Sequence, residues 1–140
     1  MDVNPYLNFP GNCEEAFEFY RAALGGEMTI TRFSEIPADA GFPPVDGNLV
    51  MHVSLHFGYG QVLMGSDVPE AMGTVEIGNY ANVSVGPDSA EQAKQIFDDL
   101  TEGGKVTMPF ERQFWGDDYG SLIDKYGVSW MVIYNPLQHT

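Results

Sequence analysis

Apolar positions along the chain fall into two different rhythms, and the pair of rhythms occurs twice. Asn4 to Phe9 is a short apolar run begun by Pro5 and closed by Pro10-Gly11, which predicts a first strand. From Asn12 to Leu24 the spacing changes to that of a helix, with Phe17, Tyr20 and Leu24 on one stripe. Gly25-Gly26 then stands where a left-handed C-cap is expected. Asp88 to Glu102 repeats the helical spacing, ending at Gly103-Gly104, with Ala93, Ile96 and Leu100 each 76 residues beyond their counterparts. Asn12 to Glu15 and Asp88 to Glu91 both have the form of a capping box, a short polar acceptor followed three residues later by a carboxylate.

The strand rhythm is clearest from Leu49 to Phe57. Strict alternation there sets Leu49, Met51, Val53, Leu55 and Phe57 on one face and Val50, His52, Ser54 and His56 on the other. Glu27 to Phe33 and Gln61 to Ser66 read as flanking strands, the latter after a Gly58-Tyr59-Gly60 turn. In the second half the expected strands are Tyr80 to Val85, Lys105 to Gln113 (bent near Pro109), Ser121 to Asp124, and Ser129 to Tyr134. Trp115 to Gly120 reads as a turn-rich segment. The order is therefore β-α-β-β-β, twice, with repeats at about 1–67 and 79–140 and a connector over 68–78. A duplicated unit places the expected site in a cleft that the two copies share. The three prolines between Ser34 and Asn48 predict a long loop of the kind that often covers or binds a ligand.

Composition changes this picture in two ways. Twenty acidic residues against six Lys plus Arg give a formal charge of −14 over 140 residues. Such a surface repels phosphate backbones and anionic bilayers, which argues against nucleic acid and membranes as partners and tolerates a cationic small molecule. The single Cys13 cannot form an internal disulfide, and no basic, apolar leader precedes the first strand, so a cytoplasmic protein is expected. No apolar run approaches the roughly 18 residues of a membrane span.

Several segments carry a family likeness: Pro5 to Ala16, Phe19-Tyr20 through Gly25-Gly26, Met51 to Leu55, Leu63 to Asp67, Phe114 to Asp117, and Asp124 to Trp130. With these words in this order the chain resembles the PhnB-like (YjdN-like) branch of the vicinal oxygen chelate superfamily, which includes glyoxalase, bleomycin-resistance and extradiol-dioxygenase folds. The resemblance implies an α+β fold in which two βαβββ modules form a curved mixed sheet around a cup-shaped cleft, and a homodimer. Members of this branch are often labelled ubiquinone-pathway methyltransferases. No glycine-rich loop of the kind a nucleotide-like methyl donor needs follows the first strand here.

Metal-using relatives place His, Gln or Glu on the cleft strands. The corresponding strands here offer Tyr6, Asn8, Asn82, Ser84, Met64, Ser66, Trp130, Val132 and Tyr134, so the usual ligand set is missing and no resident metal is expected. His52 and His56 lie about 13 Å apart along their strand, too far to share one metal directly. His52 is the candidate catalytic acid or base. Asn8, Ser54, Met64, Ser84, Trp115 and Trp130 are candidate ligand-binding residues, with Asp67 and Asp117 as carboxylates able to hold a cation or orient a polar substrate. Turn formation alone also accounts for an Asp at either place, and core packing for Trp130. The leading expectation is a protein that binds a small molecule in the cleft. The alternatives are a lyase, isomerase or dioxygenase of the superfamily and a drug-sequestering dimer of the bleomycin-resistance kind.

Overall fold

The structure, a computed structural model, describes residues 1–139 and divides into two compact units, Met1–Glu76 and Ile77–Thr140. Unit 1 contains β1 (Tyr6–Phe9), α1 (Cys13–Leu24), β2 (Glu27–Arg32), β3 (Val50–Gly58) and β4 (Gln61–Asp67). Unit 2 contains β5 (Val83–Val85), α2 (Ala90–Thr101), β6 (Lys105–Arg112), β7 (Asp118–Ile123) and β8 (Ser129–Tyr134). Each unit has its own four-stranded mixed sheet, ordered β1-β4-β3-β2 and β5-β8-β7-β6, with one parallel pair (β1/β4 or β5/β8) in each. The βαβββ order expected from the repeat is therefore present in both halves.

In unit 1, α1 buries Cys13, Ala16, Phe17, Tyr20 and Ala23 against one face of the sheet. Each large apolar side chain so covered contributes on the order of 1.5–3 kcal/mol. Phe17 sits edge-on to both Phe9 and Tyr20, at centroid distances of 6.0 and 5.5 Å. Room for that ring comes from Gly65, where an added Cβ would lie 2.7 Å from Phe17 and 2.8 Å from the Leu7 carbonyl. Leu7 pairs with Gly65 and Val83 with Trp130, so Trp130 occupies in unit 2 the place Gly65 holds in unit 1. The helix residues swap in the opposite sense, large Phe17 against small Ala93. Filling the same layer by opposite size choices keeps both cores dense.

The helix starts differ from the capping boxes expected. Asn12 makes no side-chain cap to α1. Instead the buried Asp67 carboxylate, at the end of β4, accepts the Cys13 N–H at 2.9 Å through Oδ1 and the Val50 N–H at 2.9 Å through Oδ2. In α2 the cap lies one residue later than expected, with Ser89 Oγ accepting the Gln92 N–H while Gln92 Oε1 accepts the Asp88 N–H. Three strand readings are also corrected. β5 begins at Val83 rather than Tyr80, and β7 begins at Asp118 because Gly120 lies inside a strand, pressed against Phe97, rather than in a turn. In β3 the register slips between Thr31/His52 and Arg32/Val50, a bulge that buries Val50 instead of setting it beside His52.

The loop after β2 is pinned to α1. Arg32 donates to both Glu14 carboxylate oxygens and to the Asn48 carbonyl, and Phe42 packs on Phe33 at 5.6 Å. The Arg32 hydrogen bond holds the Glu14 carboxyl below its ordinary range, against a smaller opposing effect of burial. Burial, reinforced by the Asp67 and Glu14 charges, pushes the Cys13 thiol far up.

Three outcomes are expected. Asp67→Ala orphans two buried N–H donors and should lower stability by about 1–3 kcal/mol for each, read from urea unfolding; a midpoint equal to wild type would show that the bridge has no weight. Cys13 should resist a thiol reagent at pH 8 in the folded protein and react fully in denaturant; rapid native labelling would contradict its burial. A depressed Glu14 pKa adds stability above the unfolded-state value that is lost as pH falls through the folded one. Acid unfolding of Glu14→Gln should therefore be less steep than that of wild type in the acid range, and identical curves would remove that contribution.

Candidate ligand-binding face

Gly65 marks which side of the first sheet meets the helix, and strand alternation then assigns the rest. Leu63, Gly65 and Asp67 point toward α1 and are buried, so Met64 and Ser66 point away. Directly paired residues share a face, which puts Tyr6 and Ser54 beside Met64 and Asn8 beside Ser66 on the side away from the helix. His52, two residues before Ser54, joins them. The side chains there are almost all uncharged and polar. Five polar side chains from β1, β3 and β4 gather on this face, and Thr29 and Thr31 of β2 pair with Ser54 and His52 beside them.

At its centre, Tyr6 Oη lies 3.2 Å from His52 Nδ1 and Ser54 Oγ 2.9 Å from His52 Nε2. The Tyr6 ring leans on the imidazole at 5.6 Å between centroids. Both hydroxyls can donate or accept, so either neutral tautomer of the imidazole satisfies the chain. Tyr6 and Asn8 are exposed, His52 and Met64 half-buried, and Ser54 buried. This arrangement can grip a polar ligand, and it can pass a proton between hydroxyl and ring. Among the described residues no group of three or more His, Cys, Asp or Glu side chains could hold a metal ion. The neighbours of His52 are hydroxyls, which do not fit the imidazole, thiolate or carboxylate sets of ordinary transition-metal sites.

The remaining candidates lie elsewhere. Asp67 faces the helix with both oxygens engaged, and a ligand would have to break the bridge to reach it. Trp130 is wholly buried on the helix-facing side of the second sheet, its Nε1–H donating to the buried Asp124 at 2.8 Å. Val132 and Tyr134, expected on the cleft side with it, are buried there too. The strand parity was readable, but which parity the helix covers was not. Ser84, the counterpart of Asn8, is exposed on β5. Trp115 and Asp117 form the β6–β7 turn, where the indole N–H donates to the Asp117 carboxylate at 3.0 Å. Tyr6 was missed as a central group because an exposed Tyr on a short edge strand gives no signal until its partner across β4 is known.

A family model described as 3-demethylubiquinone-9 3-methyltransferase matches residues 1–133. The protein YjdN of Escherichia coli K12 is 29% identical over 146 residues, covering 94% of each chain. The crystal structure of a Pseudomonas aeruginosa protein superposes with a TM-score of 0.85 at 36% identity, over 96% of this chain and 98% of that one. A Bacillus cereus structure titled as a putative 3-demethylubiquinone-9 3-methyltransferase, PhnB protein, has a TM-score of 0.73 at 24% identity, over 96% and 99%. At the level of fold alone, a glyoxalase/bleomycin resistance protein from Albidiferax ferrireducens matches with a TM-score of 0.65 at 16% identity, over 97% and 99%. The chain therefore belongs to the family described as 3-demethylubiquinone-9 3-methyltransferase, as a PhnB-like, YjdN-related protein of glyoxalase fold.

Proposed function

We propose that this protein binds a small, polar molecule against the open face of its first sheet. The observation that carries the reading is the Tyr6–His52–Ser54 chain, flanked by Asn8 and Met64, on the sheet face that α1 leaves free. A solvated sheet face is ordinarily polar; what goes beyond that here is an imidazole held between two hydroxyls, one of them on the buried Ser54. Hydroxyl, amide, imidazole and thioether groups side by side suit a ligand with both donors and acceptors and some apolar body. His52 would accept or donate the hydrogen bond nearest the centre, and its two hydroxyl partners would let it exchange a proton with a bound group.

Methyl transfer, named in the family description, draws little support from these residues. Both sheets are four-stranded and mixed, unlike the doubly wound parallel sheets that bind nucleotide-like cofactors. The turn from β1 into α1 carries a single glycine, Gly11, and the α1 N-terminus is already taken by the Asp67 carboxylate. An anionic cofactor group at that helix end would meet a negative charge instead of free N–H donors.

The test is ligand-observed NMR with a library of uncharged polar fragments, run on wild type, His52→Ala and Asn8→Ala. Fragments that bind wild type should lose at least about fivefold of their affinity in His52→Ala, a loss of roughly 1 kcal/mol, and shift the His52 ring resonances on titration. If every fragment binds the variants as it binds wild type, this face is not the binding surface.

A further inference from the structure

Unit 2 carries a second cluster that the polar face of unit 1 does not explain. The β6–β7 hairpin presents Phe114, 97% exposed, and Trp115, 51% exposed, at its tip. An apolar ring left so open on an ordinary turn gains nothing from the fold. The three rings are not piled on one another. Phe114 and Trp115 stand at 89° with centroids 5.0 Å apart, and Trp115 and Tyr119 at 61° and 6.1 Å. Neighbouring rings at steep angles stand as walls of a corner, and because an edge-to-face contact covers one face of one ring in the pair, π-surface is left over on each wall.

The hairpin that holds them is well tied. Gln113 donates its N–H to the Asp117 carbonyl, Gly116 donates to the Gln113 carbonyl, and the Gln113 amide reaches the Glu111 and Tyr119 carbonyls. Gly116 takes φ +102°, a conformation that keeps this turn tight and that a side chain would strain. Asp117 fixes the indole through its Nε1–H. The charges around the rings are mostly negative. Glu111 pairs directly with Tyr119 across the strands, and among the described residues no hydrogen bond or ion pair engages its carboxylate. Asp118 is matched by Arg112, the cation at this end of the hairpin, whose guanidinium bonds it through Nε. Glu111 and Asp117 are left as uncompensated charge beside three π-faces, in a chain of net charge −14.

We propose that this hairpin is a binding site for an organic cation of the quaternary or N-methylated ammonium class. Aromatic faces attract such a cation through their quadrupoles, at about 0.5–1 kcal/mol per ring when exposed and more when desolvated. Trp115 supplies the principal face, Phe114 and Tyr119 the side walls, and Glu111 and Asp117 the charge. A weakly hydrated ammonium carries little desolvation cost into such a corner, whereas an anion would meet only carboxylates. A second copy of this chain would bring like charge to the same place.

Only two tryptophans are present and Trp130 is buried, so a change in intrinsic fluorescence on adding a surface ligand reports on Trp115 against a constant Trp130 background. Choline should quench or shift it saturably in the millimolar range, with at least tenfold weaker response to 3,3-dimethyl-1-butanol, the uncharged isostere of choline. Trp115→Ala should abolish the response, and Glu111→Gln and Asp117→Asn should each weaken it about threefold. High salt should weaken it as well. Equal response to choline and its isostere would reduce the cluster to a plain apolar patch and overturn the proposal. So would no saturable change with choline, or a Trp115 signal that instead follows protein concentration together with dimer formation in sedimentation, which would assign the rings to a second copy.

Discussion

One carboxylate joins three elements of the first unit. Asp67 ends β4, and its two oxygens accept N–H groups from the first residue of α1 and the first residue of β3. Each donor would otherwise be a buried, unmatched polar group, since a helix start has no internal partners and Val50 lies at the edge of the bulge. The negative charge also meets the positive end of the helix dipole, where it is favoured. Satisfying both donors from one side chain sets the helix start, the start of β3 and the end of β4 within hydrogen-bond reach of one another. Phe17 can then enter the gap over Gly65, and the helix covers one face of the sheet only. The polar face exists because its opposite is so completely committed.

That division of labour explains the chemistry available on the free side. Residues of one parity in β1, β3 and β4 supply the core: Phe9, Val53, Leu55 and Leu63. The other parity supplies Tyr6, Asn8, His52, Ser54, Met64 and Ser66. Hydrogen bonds between His52 and its two hydroxyl neighbours hold the imidazole in place without a charged partner. The second unit follows the same plan with other residues. Its helix-facing layer carries Trp130 where the first unit has glycine, and its β6–β7 turn exposes Phe114 and Trp115 where the first unit has the long loop between β2 and β3. Duplication preserved the backbone order while the two units diverged in what they present.

The periodic features were legible from the sequence. Both helices, their glycine stops, the βαβββ order and the prominence of β3 follow from spacings of a few residues, because helical and strand periods are local properties of the chain. His52 and Ser54 on one face also follow, since the alternation between them is unbroken. Trp130 shows the limit. Its strand parity was evident, yet a period of two says which residues share a face and never which face a helix will cover. Likewise the bulge at the start of β3 displaced Val50 from the face that alternation gives it, because the slip is set by pairing with β2 rather than by β3 itself.

What the sequence alone determined is thus the list of elements, their repetition, the acidic charge and the family. The tertiary structure decided which partners those elements found. Asp67 and Cys13 are 54 residues apart, and Tyr6 and His52 are 46 apart. No local pattern links residues at such separations. A capping oxygen or a hydroxyl contact is specified only when the chain has folded and the strands have taken their register, because hydrogen bonds depend on positions to within a few tenths of an ångström, while hydrophobic periodicity tolerates far looser placement.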